Sequence, residues 1–255
     1  ISFRLVVNNY IRGSKFNYMK LINLWSSPRN VSTAFMYSFA QRNDTMVIDE
    51  PLYAHYLSNS TVTHPGQKEI LDSQDNIGDN VMKHICSLRS PEIVFCKQMT
   101  HHIVNLNTNF LTLGINLLFI RDPKAIISSY SKVIPKPTID DIGIKMQVEL
   151  LHKLKKNQAQ YLVIDSADLL KIPELFLARL CKSIDIPFDK NMLAWKPGAR
   201  KEDGVWAKYW YKNVHQSTGF SPYEEKANHL NKSHQELYKA CIPYYNELTN
   251  HKLII

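Results

Sequence analysis

Five short apolar runs, at residues 21–25, 46–48, 93–96, 117–120 and 161–164, set the pattern of this chain. Each is almost continuously hydrophobic and too short for a helix, which is the signature of a strand buried on both faces. The stretches between them have helical character. One covers about 32–41, and another opens on Asp122 as N-cap with Pro123 as first helical residue. A third runs from about 139 to 156 with Ile144, Val148 and Leu151 at core spacing, and a fourth spans Pro173–Ser183. Strands alternating with helices need crossover connections, hence βαβ units. The expected architecture is a three-layer α/β/α fold around a central, mostly parallel sheet. Residues 58–80 read as loop and irregular helix. From Trp195 onward the chain is rich in aromatics and lysine, with a polar helical segment near 224–241.

With 44% hydrophobic and 21% charged residues in 255, disorder and fibrous repeats are excluded. The longest mostly apolar stretch, 111–120, is half of a membrane-spanning helix and is interrupted by Gly114 and Asn116, so no membrane partner is expected. A formal charge of +8 favours an anionic ligand. The Lys and Arg are scattered, so nucleic acid is not expected. Lys153, Lys155 and Lys156 do cluster, where they complement a helix C-terminus. Cys86, Cys96, Cys181 and Cys241 are far apart and form no zinc pattern, so no metal is expected and a reducing cytoplasm is the natural setting. Residues 1–18 lack the apolar core of a signal peptide, and Met19 precedes the first regular pattern. The expectation is one domain over 19–255, preceded by an extraneous or disordered segment over 1–18.

The first strand leads through Ser26-Ser27-Pro28-Arg29-Asn30 into a helix. That arrangement presents free helix N–H groups to an anion, with Arg29 adding charge and Ser32 and Thr33 adding hydroxyls. The nucleotide-binding pattern G-x-x-x-x-G-K-[ST] is absent, and no glycine occurs between Gly13 and Gly66. An ordinary capped turn would look much the same. However, Ser27-Pro28-Arg29-Asn30-Val31-Ser32-Thr33, followed by Asp49-Glu50-Pro51-Leu52, resembles the 5′-phosphosulfate loop of sulfotransferases. The resemblance implies a P-loop-type nucleotide-binding fold and 3′-phosphoadenosine 5′-phosphosulfate (PAPS) as cofactor. Val31 stands where that family usually has glycine; a β-branched residue resists positive φ, so any left-handed residue is expected at Asn30.

PAPS carries a 3′-phosphate that calls for a second anion site. The segment from Arg121-Asp122-Pro123-Lys124 to Ser128-Ser129 is similar to the family's R-[DN]-P-[RK]-x-x-x-x-S motif, which implies phosphate binding by Arg121 and Ser129. Arg200-Lys201-Glu202-Asp203-Gly204-Val205-Trp206 is similar to its R-K-G-x-x-G-x-W loop. There Arg200 and Lys201 are expected to neutralise the 3′-phosphate, Gly204 to allow close approach, and Trp206 to anchor the loop, with Glu202 in place of the first glycine. Lys208, Lys212 and His215 follow, either completing the site or snorkelling from an aromatic cluster. The segment Asp49 to Leu57 looks most like a sulfotransferase-like subgroup that some larger proteins fuse to an aminotransferase-like domain.

Sulfuryl transfer behaves much like phosphoryl transfer and needs a base for the acceptor's proton. The resemblance points to Glu50, with Asp49 expected on the opposite side because strand side chains alternate. The competing base lies in Lys97-Gln98-Met99-Thr100-His101-His102, similar to the K-T-H of cytosolic sulfotransferases but with two extra residues before His101. Lys97 is then the candidate for stabilising the leaving group. The implied activity is sulfuryl transfer from PAPS to a hydroxyl or amine of a small-molecule acceptor. A P-loop kinase using ATP and a catalytically inactive nucleotide-binding module are the alternatives.

Overall fold

A computed structural model describes residues 19–132, 134, 136–224 and 230–255. The expectation for segment 1–18 therefore lies outside the described residues. In chain order the elements are β1 (Lys20–Ser26), α1 (Ser32–Phe39), β2 (Thr45–Asp49), α2 (Tyr53–Ser58), α3 (Gln67–Ser73), α4 (Gly78–Ser87), β3 (Ile93–Met99), β4 (Ile115–Ile120), α5 (Pro123–Tyr130), α6 (Ile139–Ile142), α7 (Ile144–Lys156), β5 (Tyr161–Asp165), α8 (Ser166–Lys171), α9 (Pro173–Ser183), α10 (Ala207–Trp210), α11 (Lys212–His215) and α12 (Lys232–Thr249).

The five strands form one sheet in the order β2-β3-β1-β4-β5, and every pairing within it is parallel. Helices cover both faces, as the near-continuous hydrophobic strands require. On one face α1 and α9 pack Phe35, Phe39 and Phe176 against Phe95 and Phe119, with Phe39 stacked on Phe95 at 4.1 Å between centroids. On the other, α7 sets Val148, Leu151 and Leu154 against Trp25, Leu118 and Ile120, and α12 packs against α7 and α5. Each of these side chains is removed from water and contributes roughly 1.5–3 kcal/mol. A third cluster joins α2 and α3 to Trp206, Ala207 and Tyr211. The Trp25 indole donates to Asn116 Oδ1 at 3.0 Å, and Asn116 Nδ2 donates to the carbonyls of Leu111 and Gln160, which satisfies a polar group at the centre of the sheet.

Several expectations are corrected. The helix expected over 139–156 is two helices, parted at Gly143 with φ 73°. The apolar spacing runs across the break and hides it. A Cβ at Gly143 would lie 3.5 Å from Ser27 and 3.6 Å from Pro28, so the break sits against the loop after β1. The terminal helix is Lys232–Thr249 rather than 224–241, continues through Pro243, and leaves residues 225–229 outside the described set. Within 58–80, α3 and the start of α4 are regular helix, and α1 stops at Phe39. The lysine cluster does end α7, and all four cysteines are free. Among the described residues no helix is long and apolar enough to cross a membrane.

Candidate active site

In an open parallel sheet, ligands bind outside the carboxyl ends of the strands, where the chain reverses its direction of winding. Here β1 leads outward to β2 on one side, whereas β4 leads to β5 on the other, so the switch lies between β1 and β4. The loop leaving β1 carries Arg29, and the loop leaving β4 carries Arg121.

These two loops grip each other. Arg121 Nη1 donates to the Arg29 carbonyl, and Arg29 Nε donates to Ser129 Oγ on α5 at 3.1 Å. The left-handed residue of the turn is Arg29 (φ 58°), not Asn30, while Val31 takes φ −87°. Asn30 is held by its side chain instead. Its Nδ2 donates to the Phe119 carbonyl of β4 at 2.9 Å, and its Oδ1 accepts from Val31 N. An arginine kept at positive φ costs about 1–3 kcal/mol and marks a loop whose geometry is imposed by its surroundings.

The N-terminus of α1 has no side-chain cap and no acidic residue in its first turn. Ser32 is buried and Thr33 half-buried in that turn, and the buried Ser27 Oγ has no partner among the described residues. Among the described residues no carboxylate pairs with Arg29 or Arg121. Burial and then the neighbouring Arg29 charge push the Arg121 guanidinium below its usual value. Two adjacent cations, an uncapped helix start and an orphaned hydroxyl together make a region of positive potential and free donors suited to an anionic ligand.

A second cluster forms at the end of β2. Asp49 and Glu50 do not point to opposite sides. Glu50 has left β2 with φ 39°, its N–H donating to the Lys97 carbonyl at 2.8 Å, and this turns its carboxylate back beside Asp49. Lys97 Nζ, on a residue only 2% exposed, donates to Asp49 Oδ1 at 3.0 Å, Glu50 Oε1 at 2.5 Å and the Tyr211 hydroxyl at 2.7 Å. The ammonium expected beside a leaving group thus has its three donors committed to this cluster. Burial opposes its charge, but Asp49 and Glu50 outweigh burial and hold Lys97 well above the usual lysine range. Burial pushes the Glu50 carboxyl up, against the pull of Lys97.

His101 lies just beyond β3, its ring edge-on to Tyr56 and next to His102 at 4.6 Å. Burial lowers its pKa to about 4. His102 is sandwiched between Tyr53 and Tyr56 and is held neutral by burial, with Nδ1 unpartnered among the described residues.

The segment 200–206 folds onto α1 and β2. Asp203 accepts from Tyr37 OH at 2.7 Å and from Arg200 N at 2.8 Å, and lies 2.9 Å from His215 Nε2. The Arg200 guanidinium lies over the Tyr37 ring at 4.6 Å, and its buried Nε has no partner among the described residues. Lys201 points to solvent beside Glu202. Gly204 N donates to Asp49 Oδ2 at 3.2 Å, and a Cβ on Gly204 would run into the Trp206 ring. Trp206 is buried, packs edge-on against Tyr53, and donates from Nε1 to the Tyr211 hydroxyl at 3.2 Å. Lys208 pairs with Glu69 on the surface.

The structure therefore brings Arg29, Arg121 and Ser129 together at the switch point. It gathers Glu50, Lys97, Gly204 and Trp206 around the end of β2, with Tyr37 of α1 bridging toward Arg200. Sequence patterns missed Tyr211 and the role of Asp49, whose hydrogen bonds span 162 residues and leave no local trace.

A family model described as a sulfotransferase domain matches residues 19–252. Branched-chain-amino-acid aminotransferase-like proteins 1 and 2 of Arabidopsis thaliana are 38% and 35% identical over 234 and 235 residues, 91% of this chain in each case. The chain spans 42% of the length of each of these curated relatives. Among solved structures, the sulfotransferase domain from the curacin biosynthetic pathway superposes with a TM-score of 0.54 and 15% identity, covering 91% of this chain and 98% of that one. The sulfotransferase domain from the Synechococcus PCC 7002 olefin synthase gives 0.52 and 16%, covering 88% and 94%. At such identities the superpositions speak to fold alone. The whole-length match and the relatives together establish that the chain belongs to the sulfotransferase family.

Proposed function

We propose that this chain binds PAPS at the switch between β1 and β4 and transfers its sulfuryl group to a hydroxyl or amine of a small-molecule acceptor, in a reducing cytoplasm. One observation carries this reading: Arg29 and Arg121 meet at the uncapped start of α1, and no carboxylate makes an ion-pair contact with either among the described residues. The orphaned Ser27 hydroxyl and the orphaned Arg200 Nε are further donors that an anionic ligand would satisfy. The residues present fit such a group. The loop 27–33 would hold the 5′ end through its N–H groups and the Ser32 and Thr33 hydroxyls. Arg121, Ser129, Arg200 and Lys201 would serve the 3′-phosphate.

When bound, the cofactor supplies an activated sulfuryl group whose displacement spreads charge over equatorial oxygens. Arg29 and the α1 start provide fixed positive potential for that charge. Glu50 is the proton acceptor in this reading. Its carboxyl is pushed up by burial toward the working pH, whereas His101 is depressed to about 4 and is the weaker base.

Calorimetric titration with adenosine 3′,5′-bisphosphate tests the proposal, with ATP as the comparison ligand. Wild-type binding, weakened about 10–100-fold in Arg121→Ala for the loss of a charge-assisted contact, is expected. Absence of binding, indifference to Arg121→Ala, or tighter binding of ATP would refute it.

A further inference from the structure

The carboxylate pair at the end of β2 is asymmetric in its hydrogen bonding. Asp49 receives Lys97 Nζ at 3.0 Å, the Tyr211 hydroxyl at 2.7 Å and Gly204 N at 3.2 Å. Among the described residues the Glu50 carboxylate receives Lys97 Nζ alone. Tyr211 is 5% exposed, and its oxygen already accepts from Lys97 Nζ and Trp206 Nε1. With both lone pairs used, its single proton is directed to Asp49.

We infer that Tyr211 is a positioning residue that, with the Gly204 N–H, holds Asp49 as the permanent anion of the pair and leaves Glu50 as the member that exchanges a proton. The electrostatic reasoning is direct. Two carboxylates face one ammonium inside the protein, so a full negative charge is left over when both ionise, and the pair resists losing its last proton. That proton rests on the carboxylate with fewer donors, which is Glu50. The groups facing Glu50 are Asp49 of β2, Lys97 of β3, Tyr53 of α2 and Tyr211 between α10 and α11. His102 faces Lys97 and is held neutral by burial. Burial and the Asp49 charge hold Tyr211 well above the usual tyrosine range, so it stays a phenol able to donate.

The inference rests on the proposed function for the use made of Glu50, but the protonation asymmetry belongs to the ligand-free protein. It is read by infrared spectroscopy, as the pH titration of the C=O stretch of a buried protonated carboxyl. The band should vanish in Glu50→Gln and persist in Asp49→Asn, with its midpoint moved to lower pH because a neighbouring negative charge is gone. In the Glu50→Gln background Asp49 titrates alone at acid pH, and adding Tyr211→Phe should raise its midpoint by about one pH unit or more, the equivalent of one hydrogen bond to a charged group. Tyr245→Phe, which deletes the hydroxyl bonded to the distant Asp165, is the control for general destabilisation and should leave the midpoint in place. A band that survives Glu50→Gln at neutral pH and disappears in Asp49→Asn, or equal Asp49 midpoints with and without Tyr211→Phe in the Glu50→Gln background, overturns the assignment. If Tyr211→Phe does not fold, the opposite responses of the Asp49 and Glu50 variants decide it. Calorimetry with adenosine 3′,5′-bisphosphate on the same wild-type sample reports on the proposed function separately, since lost binding leaves the infrared result standing.

Discussion

Replacing Lys97 by Met keeps the aliphatic stem and removes the charge that the buried cluster depends on. Lys97 is 2% exposed, and its ammonium is the shared partner of Asp49 and Glu50. Without it, among the described residues, the Glu50 carboxylate keeps no hydrogen-bond donor and Asp49 keeps two, the Tyr211 hydroxyl and Gly204 N. Breaking a buried ion pair from one side costs about 3–5 kcal/mol. Against a usual total of about 5–15 kcal/mol this is a large fraction, and it corresponds to a fall in Tm of about 6–20 °C at this chain length. The pH dependence has a definite sign. In the wild type the folded pKa of Lys97 is raised, so its contribution is fully present below the ordinary lysine value of about 10.4 and is lost only above it. In the variant the two carboxylates are uncompensated and their folded pKa values rise. Their penalty therefore grows as pH climbs above the ordinary carboxylate value of about 4 and relaxes toward acid. Urea unfolding followed by far-ultraviolet circular dichroism at pH 5.5 and pH 8 measures both effects. The deficit should be several kcal/mol at pH 8 and smaller at pH 5.5, and a second substitution, Glu50→Gln, should recover part of it. A loss below about 1 kcal/mol, or one that widens toward acid, would show that the cluster is not the ionic unit described.

Two further perturbations probe the frame around the site. Gly143→Ala should cost about 1–2 kcal/mol through its positive φ alone, as the nearest side-chain atom stands 3.5 Å away. Gly143→Val should also press on Ser27 and Pro28 and weaken adenosine 3′,5′-bisphosphate binding; native affinity in that variant would contradict the placement of this glycine. Asn116→Leu should cost about 1–3 kcal/mol in urea unfolding, because the Trp25 indole and two backbone carbonyls lose their partner, and an unchanged midpoint would count against this.

The sheet was legible from the sequence because the central strands β3, β1 and β4 are buried on both faces and the half-buried edge strands β2 and β5 are still apolar runs. Asp122 capping α5, its side chain accepting from Lys124 N, and Pro173 starting α9 were legible for a similar reason: these signals act within one helical turn. The meeting of Arg29, Arg121 and Ser129 at the candidate site was legible because each belongs to a contiguous motif. What escaped depends on backbone angles or distant partners. Nothing local distinguishes Arg29 from Asn30 as the left-handed residue, since the choice follows from the hold of Asn30 on Phe119 across 89 residues. Alternation along β2 put Asp49 and Glu50 on opposite sides, and a positive φ at Glu50 undid it. Tyr211 sits in an aromatic-rich stretch where any hydroxyl looks like its neighbours until the fold supplies Asp49.

The clasp between Gly204, Tyr211 and Asp49 closes loops of 155 and 162 residues. Contacts of such separation form late, because the entropy of drawing the ends together precedes any gain. During synthesis, the tip of β2 emerges long before the residues that satisfy it. Until then Asp49, Glu50 and Lys97 share an incomplete hydrogen-bond shell. The carboxylate cluster is therefore completed only once the chain as far as Tyr211 has been made.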